Sequence, residues 1–148
     1  MKIGIVTIYN VPNYGAILQA YSLAEYLRRE GHEVVLFNVD SPKRHPYIYK
    51  LKRLFKLGFI DKFQQRNYPA ITSNLNEEVD IYMVGSDQVW NIEITQADYD
   101  KYFLAFALHN RKVSYAASFG NNEWDFPSKR NEIRGFLSAF KYITVREE

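Results

Sequence analysis

Lys2-Ile3-Gly4-Ile5-Val6-Thr7-Ile8 runs into the polar turn Tyr9-Asn10-Val11-Pro12-Asn13-Tyr14-Gly15, and this succession decides the fold. The β-branched run has the pattern of a strand buried on both faces. From Ala16 the apolar residues Ile17, Leu18, Tyr21, Leu23, Ala24 and Leu27 recur at helical spacing. Arg28-Arg29-Glu30-Gly31 then gives a basic last turn and a glycine stop. Glu33 to Asn38 (EVVLFN) is a second strand, separated from the helix only by Gly31-His32. A strand–helix–strand unit of this kind closes as a right-handed parallel crossover.

The same alternation continues along the chain. Tyr49 to Leu57 has the spacing of a short amphipathic helix, which Gly58 interrupts before Phe59, Ile60 and Phe63 resume the apolar contacts. Pro69 and Thr72-Ser73-Asn74 mark a turn. Asp80 to Val84 (DIYMV) reads as a third strand, Lys112 to Ala117 (KVSYAA) as a fourth and Lys141 to Val145 (KYITV) as a fifth. Between the third and fourth lies a long loop with a short helix or extended piece at Tyr99 to Phe106. Ser128 is the expected N-cap of a helix through about Ala139, with Glu132 in its first turn. Five strands joined mainly by helical crossovers predict an α/β fold with an open, doubly wound, mainly parallel Rossmann-like sheet. The expected order is 2-1-3-4-5, with the reversal of strand order, where such sheets bind ligands, between the first and third strands.

Composition agrees with one soluble domain over residues 1–148. The chain has 148 residues, 47% hydrophobic and 24% charged, with no low-complexity run, which excludes collagenous, disordered and repeat classes. No cysteine is present, so disulfides, thiolate metal sites and cysteine nucleophiles are excluded. His32, His45 and His109 show no metal-ligand spacing, so no metal is expected. No apolar run approaches the roughly 20 residues of a membrane span. The expected location is the cytoplasm. The net charge of +2 conceals an asymmetry: Lys43 to Arg66 holds eight basic residues against Asp61 alone. This basic helical insertion, at about residues 43–75, suits docking onto the sheet with a solvated cationic face. The alternatives are peripheral contact with an anionic inner-membrane surface or with an acidic glycan. Nucleic acid is not an expected partner. The aromatic share, 16%, is high.

The polar clusters all follow strands. Asn10 to Gly15, Gly85 to Asn91, Ser118 to Asn122 and Arg146 to Glu148 therefore converge on one rim of a parallel sheet. Asn13, Tyr14 and Gly15 open the first helix, where free amides favour an anion or polar oxygen, although Gly15 equally permits a tight turn. Gln19 faces back toward that loop, as a ligand contact or as a polar residue at the core's edge. Ser86, Asp87 and Gln88, with Trp90 and Asn91 beside them, supply the hydroxyl, carboxylate, amide and aromatic plane that sugars need. Asp87 is the candidate general base. Trp90 is read alternatively as a packing plug.

The opening block IGIVTIYNVPNYGAILQAYSLAEYLRREGHEV, then DIYMVGSDQVWN, VSYAASFG and ITVREE, resemble the polysaccharide pyruvyl transferase family in order and over nearly the whole chain. That resemblance implies the amino-terminal lobe of a two-lobed enzyme of the GT-B type, with its carboxy-terminal lobe absent and the fragment alone inactive. It implies transfer of a group from phosphoenolpyruvate, held mainly by the absent lobe, to a surface-glycan or lipid-linked sugar as a pyruvate ketal. No separate cofactor is implied. The matching positions are Asn13, Gly15, Gln19, Ser86, Asp87, Gln88, Trp90, Asn91, Ser118, Phe119, Gly120, Arg146 and Glu147. A nucleotide-sugar glycosyltransferase lobe and a non-catalytic sugar-binding or docking remnant are the alternatives.

Overall fold

The computed structural model describes residues 1–40, 58–108, 111–121 and 126–146. Strand β1 (Lys2–Val6) leads through helix α1 (Tyr14–Arg29) to β2 (Glu33–Phe37). A helix over residues 58–67, α2, precedes β3 (Ala70–Thr72) and β4 (Ile81–Asp87). The chain then makes α3 (Ile92–Thr95), a 3-10 turn (Gln96–Asp98), α4 (Tyr99–Tyr102), β5 (Lys112–Ala117) and, after a second 3-10 turn (Pro127–Lys129), α5 (Arg130–Ser138).

All strand pairs are parallel, in the order β3-β2-β1-β4-β5. The α/β parallel sheet is the expected one, and β1 has β2 on one side and β4 on the other, so strand order reverses between β1 and β4. The two ends of the sheet differ from expectation. Ala70–Thr72, read as part of a turn, pairs with Val35–Phe37 as an edge strand too short to show periodicity. Lys141–Val145 is no regular fifth strand. It touches β5 only through isolated parallel bridges, Val113 with Tyr142 and Ala117 with Val145. Ala116 takes φ 48° there, which breaks the even spacing of a parallel ladder. Side chains fill the gap: Thr144 Oγ1 donates to Ser114 O at 3.0 Å, and Ser114 Oγ donates to Thr144 O at 2.9 Å.

The helices form because their apolar stripes match the sheet. Ile17, Ala20, Leu23, Ala24 and Leu27 of α1 pack on Ile3 and Ile5 of β1 and Val34 and Leu36 of β2. Burying each Leu or Ile contributes about 1.5–3 kcal/mol. The helix stops at Gly31, whose N–H donates to Arg28 O while His32 N–H donates to Leu27 O. On the same face α2 docks through Ile60 and Phe63, with Phe63 edge-on to Tyr21 at 5.2 Å and Tyr68 Oη donating to Ile17 O at 3.0 Å. Gly58 is helical and is the first described residue of α2. The part of the basic segment in α2 thus docks while Lys62 and Arg66 stay exposed; residues 41–57, with the proposed helix Tyr49 to Leu57, lie outside the described residues.

The opposite face carries Val6, Val35, Phe37, Tyr82 and Val84, covered by the segment from Val89 to Ala107 and by Ile133 of α5. Phe37 lies across β1, and a β-carbon on Gly4 would overlap its ring. Ser128 does not cap α5. It sits inside the 3-10 turn, and the N-cap, Lys129, makes no side-chain capping bond. Pro127, with its fixed φ, starts that turn earlier than the hydroxyl signal suggested. Among the described residues, no helix is long and apolar enough to cross a membrane.

Candidate functional site

Because every strand is parallel, the loops after β1, β2, β4 and β5 share one rim. The centre of that rim is a closed polar knot at the β1/β4 junction. Thr7, 1% exposed, donates through Oγ1 to Ser86 O at 3.0 Å. Gln19 Nε2 faces three acceptors: Thr7 Oγ1 at 2.9 Å, Ile8 O at 3.2 Å and Ala16 O at 3.0 Å. Ser86 Oγ in turn donates to Gln19 Oε1 at 2.8 Å. Gln19, expected as a ligand contact or a polar edge residue, is the strut that ties α1 to β1 and β4. Every polar atom of its side chain is engaged.

Asp87 closes β4 with φ 92°, a conformation seldom adopted by a residue with a β-carbon. Its Oδ1 accepts Gln88 N–H at 2.8 Å and lies 3.9 Å from Arg146 Nη1, bringing the end of β4 against the segment after Val145. The backbone around them is stitched: Ser118 N donates to Asp87 O, Trp90 N to Ser118 O and Arg146 N to Ala117 O. Ser118 is buried and its Oγ accepts Gly120 N–H at 2.9 Å. Gly120, at φ 78°, lies against Gln88 and Asn91, where a β-carbon would stand 2.6 Å from Gln88 Oε1. Asn91 Oδ1 caps α3, accepting from Glu93 N and Ile94 N, while its Nδ2 donates to Gln88 Oε1 at 3.3 Å.

Trp90 requires a correction. It is 1% exposed and stacks on Phe103 with centroids 5.6 Å apart and planes 5° apart, with Phe119 and Phe140 against its other sides. No ring face is left for a sugar, so the packing-plug reading holds. The residue sits inside the turn Gln88–Asn91, closed by Asn91 N–H to Gln88 O, where the chain leaves β4 and folds back onto the sheet. Phe119 is half-buried against it and walls a groove of about 430 Å³ along Arg130, Ile133, Arg134 and Leu137 of α5.

At the N-terminus of α1 the expectation of open amides also changes. Asn13 Oδ1 accepts both Gly15 N–H at 2.8 Å and Ala16 N–H at 3.3 Å, so the side chain occupies the place an anion would take. Tyr14 is exposed. Glu147 lies outside the described residues, as do His45 and His109. Among the described residues no group of three or more His, Cys, Asp or Glu is placed to hold a metal ion.

Sequence reasoning missed a second cluster on the rim. Tyr102 Oη donates to Asp40 Oδ1 at 2.8 Å just beyond β2, and Tyr9 lies nearby after β1. Burial, then the Asp40 charge and Tyr68, push the Tyr9 hydroxyl well above the usual phenol range. The available signal is Asn38-Val39-Asp40, a polar cluster directly after a strand like the other four on the rim.

A doubly wound parallel sheet with a hydroxyl, carboxylate and amide cluster at its order reversal defines a Rossmann-like α/β domain. The family model described as polysaccharide pyruvyl transferase matches residues 13–148, and the chain belongs to that family. No curated protein and no solved structure matches it.

Proposed function

We propose that this chain is the acceptor-side, amino-terminal lobe of a GT-B-type pyruvyl transferase, which moves a pyruvyl group from phosphoenolpyruvate to a sugar of a surface glycan as a ketal. One observation carries the reading: a transferase-family match extends from the α1 cap through the rim to the last residue of the chain. The site chemistry supports the acceptor side in particular. Ser86, Asp87 and Gln88 offer hydrogen-bonding groups suited to hydroxyls, while the α1 amides that would attract a phosphate are already filled by Asn13.

In the reaction, protonation of the methylene carbon of phosphoenolpyruvate creates an oxocarbenium-like centre at its neighbour. A sugar hydroxyl attacks that centre as its proton passes to a base, and a second hydroxyl displaces inorganic phosphate to close the ketal. Asp87 is the base: its Oδ1 is fixed by Gln88 N–H and faces Arg146, leaving the carboxylate oriented at the rim. Arg146 balances the charge on Asp87 and approaches any anion entering from above. The basic run from Lys43 to Arg66 holds the protein at an anionic membrane surface carrying a lipid-linked acceptor, which flotation with anionic liposomes tests.

Phosphate release from phosphoenolpyruvate in the presence of glycan, followed for this chain and for a version extended by any downstream reading frame, tests the assignment. Turnover is expected only with the extended protein, and Asp87→Asn lowers it at least about 100-fold, the usual size of a general-base contribution. A nucleotide sugar that displaces phosphoenolpyruvate would favour a glycosyltransferase instead.

A further inference from the structure

The knot at the β1/β4 junction has a direction, and that direction fixes what Ser86 presents to a ligand. Gln19 Nε2 faces the carbonyls Ile8 O and Ala16 O, which only accept. The amide nitrogen therefore has to be where it is, and Gln19 Oε1 has to face Ser86. An amide oxygen only accepts, so the bond at 2.8 Å commits the single proton of Ser86 Oγ to Gln19. Thr7 Oγ1 cannot compete, because it receives from Gln19 and spends its own proton on Ser86 O. Ser86 Oγ is left with lone pairs only, and no described residue donates to them. Its neighbour Asp87 also presents only acceptors.

We propose that Gln19 is a positioning residue that holds Ser86 as an obligate acceptor, so that this point of the rim selects a ligand hydroxyl that donates and rejects ethers and phosphate oxygens. The proposal rests on the acceptor-side reading above and names which chemical feature of the acceptor is read. An ether oxygen brings two lone pairs against two lone pairs, and a phosphate adds charge beside Asp87. A hydroxyl proton fits between them.

The first test needs no ligand. In NMR spectra of the free chain the Ser86 hydroxyl proton is expected in slow exchange, with cross-peaks to the Gln19 side chain; exchange at the rate of a solvated serine would overturn the proposal. The second uses methyl glycosides of galactose, glucose and mannose, their mono-O-methyl and monodeoxy derivatives, and inorganic phosphate. At least one parent glycoside is expected to shift the Ser86 and Gln88 resonances. Its O-methyl and deoxy forms at one position should bind about tenfold more weakly, as for a lost hydrogen bond to a partly buried partner. Phosphate should leave Ser86 unmoved. Gln19→Met frees the serine proton, so the ratio between parent and O-methyl ether should fall toward one; a merely structural role would weaken both ligands together and keep the ratio. Ser86→Ala should abolish the ratio as well. Equal binding of parent and ether at every position, phosphate binding at Ser86, or no glycoside binding at all overturns the proposal. Failure of phosphate release from phosphoenolpyruvate, with the hydroxyl preference intact, would remove the transferase reading and leave the Ser86 polarity standing.

Discussion

On one face of the sheet α1 lays Ile17, Ala20, Leu23, Ala24 and Leu27 against β1 and β2; on the other, rings from scattered short segments gather around Trp90. The first face is a regular helix whose small residues let it approach closely. The second is built from helices of four residues, α3 and α4, which would not hold together alone in water. They are held because Trp90 stacks on Phe103, Phe103 on Phe136, and Phe119 and Phe140 close the sides. The aliphatic face is stable through periodicity, and the aromatic face through one central ring. Since Trp90 N also bonds Ser118 O, the aromatic face holds the Ser118 side of the rim, while α1 holds the Ser86 side through Gln19.

The largest test of that contrast is Trp90→Ala against Leu23→Ala. Trp90→Ala is expected to cost about 3–5 kcal/mol in urea unfolding and Leu23→Ala about 2–3 kcal/mol, both from lost transfer energy plus a cavity. Only the tryptophan change should also raise amide exchange at Ser118 and Asp87. If Leu23→Ala disturbs Ser118 and Asp87 equally, the faces are not distinct. A smaller test compares the two asparagine caps. Asn13→Ala on the aliphatic side should cost about 1 kcal/mol. Asn91→Ala should cost about 1–2 kcal/mol, since it also loses its bond to Gln88 inside a buried setting. Equal losses would argue that the Gln88 contact contributes nothing.

The smallest effect concerns Lys112, which is 2% exposed and paired in register with Tyr82 on the aromatic side. Burial lowers its pKa from the ordinary lysine value. The unfolded chain therefore binds more protons between the lowered native value and 10.5, and stability rises with pH across that window. Lys112→Met is expected to be more stable than the parent at pH 7, with the difference shrinking as pH approaches 10.5. A pH-independent difference would show that packing, and not charge burial, is responsible.

The two faces were not equally legible in the sequence. The spacing of Ile17, Leu23, Ala24 and Leu27 reports a helix directly, because period and burial coincide over 16 residues. The strands β1, β2, β4 and β5 stand in the sequence as short runs between polar turns, and the rim followed from where the polar clusters stood. Trp90 was ambiguous because Gly85 to Asn91 reads as one exposed loop, and nothing local says that the chain turns inward after Gln88. The engagement of Gln19 was hidden for a related reason: its partners on β1 and β4 are brought together only by the sheet. Asp40 and Tyr102 meet across the same kind of distance. The irregular pairing of Lys141–Val145 depends on one positive φ at Ala116, for which alanine gives no signal.

The strand order also sets a schedule for synthesis. β1, β2 and β3 emerge first, with β2 and β3 to one side of β1, while the other side of β1 waits for β4. At roughly 5–20 residues per second the ribosome takes about 4–16 seconds to deliver it. Through that interval the hydrophobic edge that will become the centre of the sheet is open to pairing with any neighbouring chain. The polar knot of Thr7, Gln19 and Ser86 is the lock that closes this edge, and a nascent chain stalled before Ser86 would be the form most in need of a chaperone.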